Sequence, residues 1–140
     1  MEGNFWLNIS AKDLNKSKEF FIKLGFQMNE MHVGPDMVSM FIGSKKTILN
    51  LFSETKLQGF MSQPVTETNK SNEIIFSIGA SSPEEVDNIA KMAVAAGAKI
   101  FANPGFKDGW MYGCGFADLD GHRWNILYMD MSKIPSTKVN

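Results

Sequence analysis

The sequence predicts an α+β domain of two βαβββ modules, whose mixed sheets curve into a cup with the helices outside. Three observations predict it. Helix-spaced apolar residues at 13–25 and 82–97 each follow a run with strand-like alternation. Turn signals at 43–46 and 118–121 each join two strand-like runs. Counting outward from those two turns places Asn50 on Asn125, so the chain repeats as a pattern without repeating as identity.

Residues 5–10 alternate, with Phe5, Leu7 and Ile9 on one face and Trp6, Asn8 and Ser10 on the other. Asp13 is an N-cap; Leu14, Ser17, Phe21 and Leu24 recur at helical spacing beside Phe20, and Gly25 ends the helix. Residues 27–33 read as a strand turned by Gly34, Pro35 and Asp36. Residues 37–42 and 47–52 read as a hairpin. Residues 53–72 are polar and hold Gly59 and Pro64; Leu57, Phe60 and Met61 suit one short helical turn, and 63–72 reads as a linker. The pattern restarts at 74–79, with Ile74, Phe76 and Ile78 on one face and Glu73, Ile75 and Ser77 on the other. Ser82 at the N-cap, Pro83 at N1 and Glu85 at N3 make a capping box. Val86, Ile89, Ala90, Ala93 and Val94 form the apolar stripe, and Gly97 closes the helix. Residues 99–102 read as a short strand and 103–109 as a Gly/Pro loop holding Phe106, either a plain connection or a lid. Residues 110–117 lead into the last hairpin, and the tail is expected to fray. The organisation is a single domain over 1–140, with a first module at about 4–52, a linker at 53–72, a second module at about 73–130 and a tail at 131–140.

The charge is balanced, with 14 Lys and Arg against 15 Asp and Glu, which excludes the basic excess that nucleic-acid or membrane-surface binding needs. One cysteine, Cys114, excludes an intramolecular disulfide, and it has no basic neighbour in sequence to activate it. Residues 1–4 lack a signal-peptide pattern and no apolar run reaches transmembrane length, so a cytoplasmic protein is expected. Ten methionines suit gap filling in the core or an adaptable pocket.

Each module leaves one sheet face uncovered by its helix. The inward positions of the cup are then Trp6, Asn8, Asn50, Phe52, Glu73, Ser77, Arg123, Asn125 and Leu127. Asn50 and Asn125 are amides that are costly to bury without partners, so a ligand or water should bond them. Trp6 and Phe52 offer a flat apolar wall for a planar ligand, or simply fill the cup. Glu73 is either a buried carboxylate suited to proton abstraction or a solvated residue at a strand start. Arg123 either clamps an anion or carbonyl with Asn125, pairing with Glu73 when empty, or reaches solvent at the rim. His122 should face away from the cup as a turn or surface residue, and His32 reads as loop.

Two motifs carry a resemblance. Residues 13–26, Asp-Leu-Asn-Lys-Ser-Lys-Glu-Phe-Phe-Ile-Lys-Leu-Gly-Phe, and 118–128, Asp-Leu-Asp-Gly-His-Arg-Trp-Asn-Ile-Leu-Tyr, flank Ala95-Ala-Gly-Ala-Lys99 at a helix end. In this order the chain resembles the vicinal oxygen chelate superfamily, the glyoxalase/bleomycin-resistance/dioxygenase group. The run 109–130 is similar to a glyoxalase-like subgroup. The resemblance implies a homodimer and a divalent metal at the cup floor, held by one side chain from each central strand, that stabilises an oxyanion. The family's positions fall on Trp6 (or Asn8, with the register shifted by two), Asn50, Glu73 and Asn125. Amides with one carboxylate make a poor transition-metal site, so no cofactor is expected; a divalent metal, if held, would use Glu73, Asn50 and Asn125. Two functions follow. One is a glyoxalase-like lyase or isomerase acting on a small carbonyl compound, with Glu73 as base. The other is a metal-free cup that sequesters a small molecule, as bleomycin-resistance proteins do.

Overall fold

Each long helix starts at a side chain that satisfies a free backbone N–H. Asp13 accepts from the Lys16 N–H at 3.0 Å, and Ser82 from the Glu85 N–H at 3.1 Å. Glu85 reaches back to the Ser81 N–H at 2.6 Å and to its hydroxyl, one residue before the N–H that a capping box uses. The computed structural model describes residues 1–31 and 34–135. Its elements are β1 (Trp6–Ser10), α1 (Leu14–Lys23), β2 (Met37–Ile42), β3 (Thr47–Phe52), α2 (Glu54–Met61), β4 (Ile75–Gly79), α3 (Pro83–Ala95), β5 (Lys99–Lys107), β6 (Met111–Ala117) and β7 (Arg123–Met129). A 3₁₀ turn over Met131–Lys133 follows, and the tail expected to fray beyond 135 lies outside the described residues.

The first sheet has the order β1-β3-β2 and the second β4-β7-β6-β5. β1 runs parallel to β3, and β4 parallel to β7; the other pairs are antiparallel. Residues 27–29 extend the first sheet beyond β2. Met28 bridges Met40, the Asn29 N–H donates to Ser39 O, and the Phe41 N–H donates to Gln27 O. That edge stands where β5 stands in the second sheet. The strand expected over 27–33 is thus much shorter, because the Asn29 side chain accepts from the Met31 N–H and turns the chain. His32 and Val33 lie outside the described residues.

β5 departs from expectation in the other direction. The strand runs past Pro104 to Lys107 instead of ending at Ala102. It is an edge strand, where a residue without an N–H is tolerated, and register shifts after Ile100 and Ala102 absorb the misfit. Strand pairing, not a lid, therefore occupies most of 103–107. The helical turn expected near Leu57 is a full helix, α2, capped by Ser53.

Alternation sends Leu7, Ile9, Val38, Met40, Leu49 and Leu51 to one face of the first sheet. Phe76, Cys114, Phe116, Trp124 and Ile126 occupy the matching face of the second sheet. Phe20, Phe21 and Leu24 of α1 and Val86, Ala90 and Ala93 of α3 join the same core. Trp124 sits at its centre, with the rings of Phe21 and Phe26 at 5.4 and 5.5 Å and that of Phe76 at 4.7 Å. Tilted aromatic contacts across the modules thus make one core of two repeats. No helix among the described residues is long and apolar enough to cross a membrane.

The β6–β7 turn joins the modules by hydrogen bonds as well. Asp118 closes the turn on itself, accepting from the N–H groups of Asp120 and His122 and from Trp124 Nε1. Asp120 faces the first module, accepting from the Lys12 N–H at 2.9 Å and the Ser17 hydroxyl at 3.1 Å. His122 Nε2 donates to Ser10 O at 2.7 Å. Thr68 and Asn72 bond the carbonyls of Asp120 and Gly121, so the segment read as a linker is tied to this turn. Gly121 has φ +89°, and an added Cβ would lie 2.5 Å from Thr68 O. Only glycine fits there.

Candidate functional site

The face of the first sheet opposite the core carries a polar row. Asn8 pairs with Asn50 across β1–β3, and Asn50 pairs with Ser39 across β3–β2. Asn29, at the edge, completes the row by donating from Nδ2 to Ser39 Oγ at 3.2 Å. Asn50 Nδ2 donates to Asn8 Oδ1 at 3.0 Å. Asn50 Oδ1 is buried and has no hydrogen-bond partner among the described residues. A carbonyl oxygen in that state costs roughly 1–3 kcal/mol of desolvation until something donates to it.

The second sheet carries the repeat of this row. Ser77 pairs with Asn125 across β4–β7, and Asn125 Nδ2 donates to Ser77 Oγ at 3.4 Å. Asn8 lies five residues before the N-cap Asp13, and Ser77 lies five before the N-cap Ser82. The structure therefore brings Asn8 to Asn50 and Ser77 to Asn125. No hydrogen bond among the described residues links one pair to the other. Part of each face is open to solvent in the single chain, with Trp6 55 % exposed, Ile75 52 % and Phe101 47 %, whereas Ser39 and Asn29 of the first row are buried.

The remaining site candidates are placed as follows. Trp6 shares the face of Asn8 and stands two residues from the row. Phe52 shares the face of Asn50 but is buried, with the Phe60 ring of α2 edge-on to it at 5.2 Å. Glu73, on which the family's ligand position was expected to fall, is exposed in a bend before β4, and Ser77 is the residue opposite Asn125. Arg123 does not pair with Glu73; its guanidinium lies over the Phe101 ring, 4.8 Å from the centroid. Stacking on an aromatic face keeps a charged group oriented while it stays hydrated. Leu127 is on the same face of β7 as Arg123 and Asn125 and covers Gly113. His122 faces away from the polar rows, as expected, but it is buried, not at the surface. Cys114 is buried too, and burial first and the Asp87 charge second push its thiol above the ordinary value.

Reading the sequence one strand at a time missed Ser39 and Asn29, because their place in the row depends on cross-strand register. Ser77 was within reach, since its distance to the following N-cap equals that of Asn8.

Residues 5–43 match the family model described as bleomycin resistance protein-like N-terminal. A hypothetical protein from S. aureus is 32 % identical, superposes with a TM-score of 0.81, and is matched over 91 % of this chain and 94 % of its own length. A glyoxalase-related enzyme from Fulvimarina pelagi is 19 % identical with a TM-score of 0.79, over 91 % of this chain and 88 % of its own. A glyoxalase/bleomycin resistance protein/dioxygenase family enzyme from Burkholderia phytofirmans is 18 % identical with a TM-score of 0.76, over 89 % of this chain and 96 % of its own. The chain has the fold of the glyoxalase/bleomycin resistance protein/dioxygenase superfamily. No protein of curated function matches it.

Chemistry in this superfamily implies a divalent metal held by one side chain from each central strand. In this chain those strands present Asn8, Asn50, Ser77 and Asn125 in register. Three neutral amides and a hydroxyl supply no imidazole, thiolate or carboxylate, the donors that zinc, nickel and iron sites use. Among the described residues, no three His, Cys, Asp or Glu side chains gather as a metal-ligating group. The donor set does not fit a tightly bound transition metal.

Proposed function

We propose that this chain is a binding protein of that superfamily, one that sequesters a small, planar, hydrogen-bonding molecule without using a metal. The single observation that carries the reading is the buried, unpartnered Asn50 carbonyl oxygen at the centre of the Asn8–Asn50–Ser39–Asn29 row. A ligand N–H or O–H would satisfy it, while Asn125 and Ser77 offer the repeat-related contacts. Trp6 and Phe101 supply exposed flat apolar surface beside the polar rows, which suits an aromatic or conjugated body. The match of residues 5–43 to a bleomycin resistance protein-like model supports binding over turnover. The open faces also suit coverage by a second copy, so the working form is a homodimer with the ligand between polar faces.

The competing reading is a lyase or isomerase with Glu73 as base. Glu73 is exposed in a bend four residues before Ser77 and forms no ion pair among the described residues, which supports binding over this reading. Metal analysis of the purified protein separates the two, together with hemithioacetal isomerisation measured with and without added Ni²⁺ or Zn²⁺. The binding reading predicts no turnover in either condition. Stoichiometric metal with turnover that Glu73→Gln abolishes would establish the enzyme instead.

A further inference from the structure

A second cross-strand row lies on the same face of the second sheet as Asn125. Lys99 pairs with Ala117 across β5–β6, and Ala117 pairs with Arg123 across β6–β7. Residues directly opposite in antiparallel strands share a face, so the two cations flank a small residue, their Cα atoms about 10 Å apart, two strand spacings. The trough over Ala117 opens into a cavity of about 450 Å³ that Asn69, Phe101 and Leu119 also line. Among the described residues, neither Lys99 nor Arg123 forms an ion pair. Asp118, next to Ala117 in sequence, also lines this cavity, but its carboxylate oxygens are taken by Trp124 Nε1 and the N–H groups of Asp120 and His122. Phe101 holds the guanidinium of Arg123 from one side. Its ring occupies the space that a side chain at position 115 would fill, since a Cβ on Gly115 would lie 2.5 Å from Phe101 Cε1.

We propose that Lys99 and Arg123 form an oxyanion subsite that takes the carboxylate or phosphoryl head of a small aromatic acid, whose ring lies against Phe101. A guanidinium fork and an ammonium around a small-residue trough match an anion with two or three oxygens. The head-group contact stands on the Lys99–Ala117–Arg123 row alone. Only the claim that the same molecule continues toward Asn125 rests on the function proposed above.

Two probes test the parts separately. ¹⁵N-labelled protein is titrated with phenylphosphonate and, in parallel, with neutral benzamide. The subsite predicts saturable phenylphosphonate shifts centred on the amides of Gly97, Lys99, Ala117 and Arg123. It predicts affinity about tenfold weaker in Arg123→Gln and about threefold weaker in Lys99→Gln, as expected for losing one charge-assisted contact each. Lys99 is exposed, so its variant reports on the site even if Arg123→Gln fails to fold. Unsaturable shifts, or an affinity indifferent to both substitutions, would overturn the subsite. Benzamide binding that is lost in Asn50→Leu but unaffected by Lys99→Gln supports the binding cup whatever phenylphosphonate does. Phenylphosphonate binding lost in the cation variants supports the subsite even if benzamide does not bind at all.

Discussion

Asn50 donates its amide to Asn8 and keeps its own carbonyl oxygen buried with no donor. A chain selected only for stability would place an apolar side chain there. Asn50→Leu should therefore leave the melting temperature unchanged or raise it, since it removes an unsatisfied acceptor whose cost is about 1–3 kcal/mol. The same change should weaken binding of a donor-bearing planar ligand by about tenfold or more. Thermal melts and calorimetric titration check the pair of outcomes. A variant that is destabilised by several kcal/mol yet binds normally would mean that Asn50 is structural.

The Asp118–Gly121 turn fastens the modules through Asp120. Asp120→Ala should cost about 2–4 kcal/mol, because two hydrogen bonds to a charged acceptor go and the buried Ser17 hydroxyl is left unpaired. Asp120→Asn, which retains one acceptor oxygen, should cost about half of that. Urea midpoints at constant slope measure both.

Asp118 gives a pH dependence with a definite sign. Burial, the largest influence, holds its carboxyl above the ordinary value of 3.8, outweighing the His122 charge and the bonds from Trp124 and Asp120. The folded value exceeds the unfolded one. Its contribution to stability is therefore fully present below 3.8 and is lost as pH rises through the folded value. The difference in unfolding free energy between the wild type and Asp118→Asn should shrink across that window. A difference independent of pH from 3 to 7, read by denaturant titration at each pH, would contradict the assignment.

Gly115→Ala probes the aromatic platform. The new methyl would meet Phe101 at 2.5 Å, and that half-exposed ring can swing away, so stability should change by less than about 1.5 kcal/mol. Arg123 then loses its stacking surface, and phenylphosphonate affinity should fall about threefold to tenfold. Competition titration against the wild type decides it.

Local chemistry announced much of this fold. Asp13 and Ser82 are N-caps whose side chains have few other uses, Gly25 and Gly97 adopt the positive φ that ends a helix, and the two hairpin turns set the strand pairs. Other features depended on distant partners. β5 continues through Pro104 only because it is an edge strand beside β6, which its own residues do not reveal. The bend that makes Glu73 a solvated residue comes where Asn72 bonds Thr68 and Gly121, contacts made 4 and 49 residues away. Asn50 and Asn125 were legible as repeat partners because each is counted from its own turn. Ser39 and Asn29, and the Lys99–Arg123 trough, emerge only once the strands are laid side by side.

The most direct test is calorimetric titration of benzamide into the wild type and Asn50→Leu, each with and without EDTA. The predicted result is saturable binding to the wild type that EDTA does not change and that Asn50→Leu loses. Binding that requires a divalent metal, or that survives in Asn50→Leu, would contradict a metal-free cup built around Asn50.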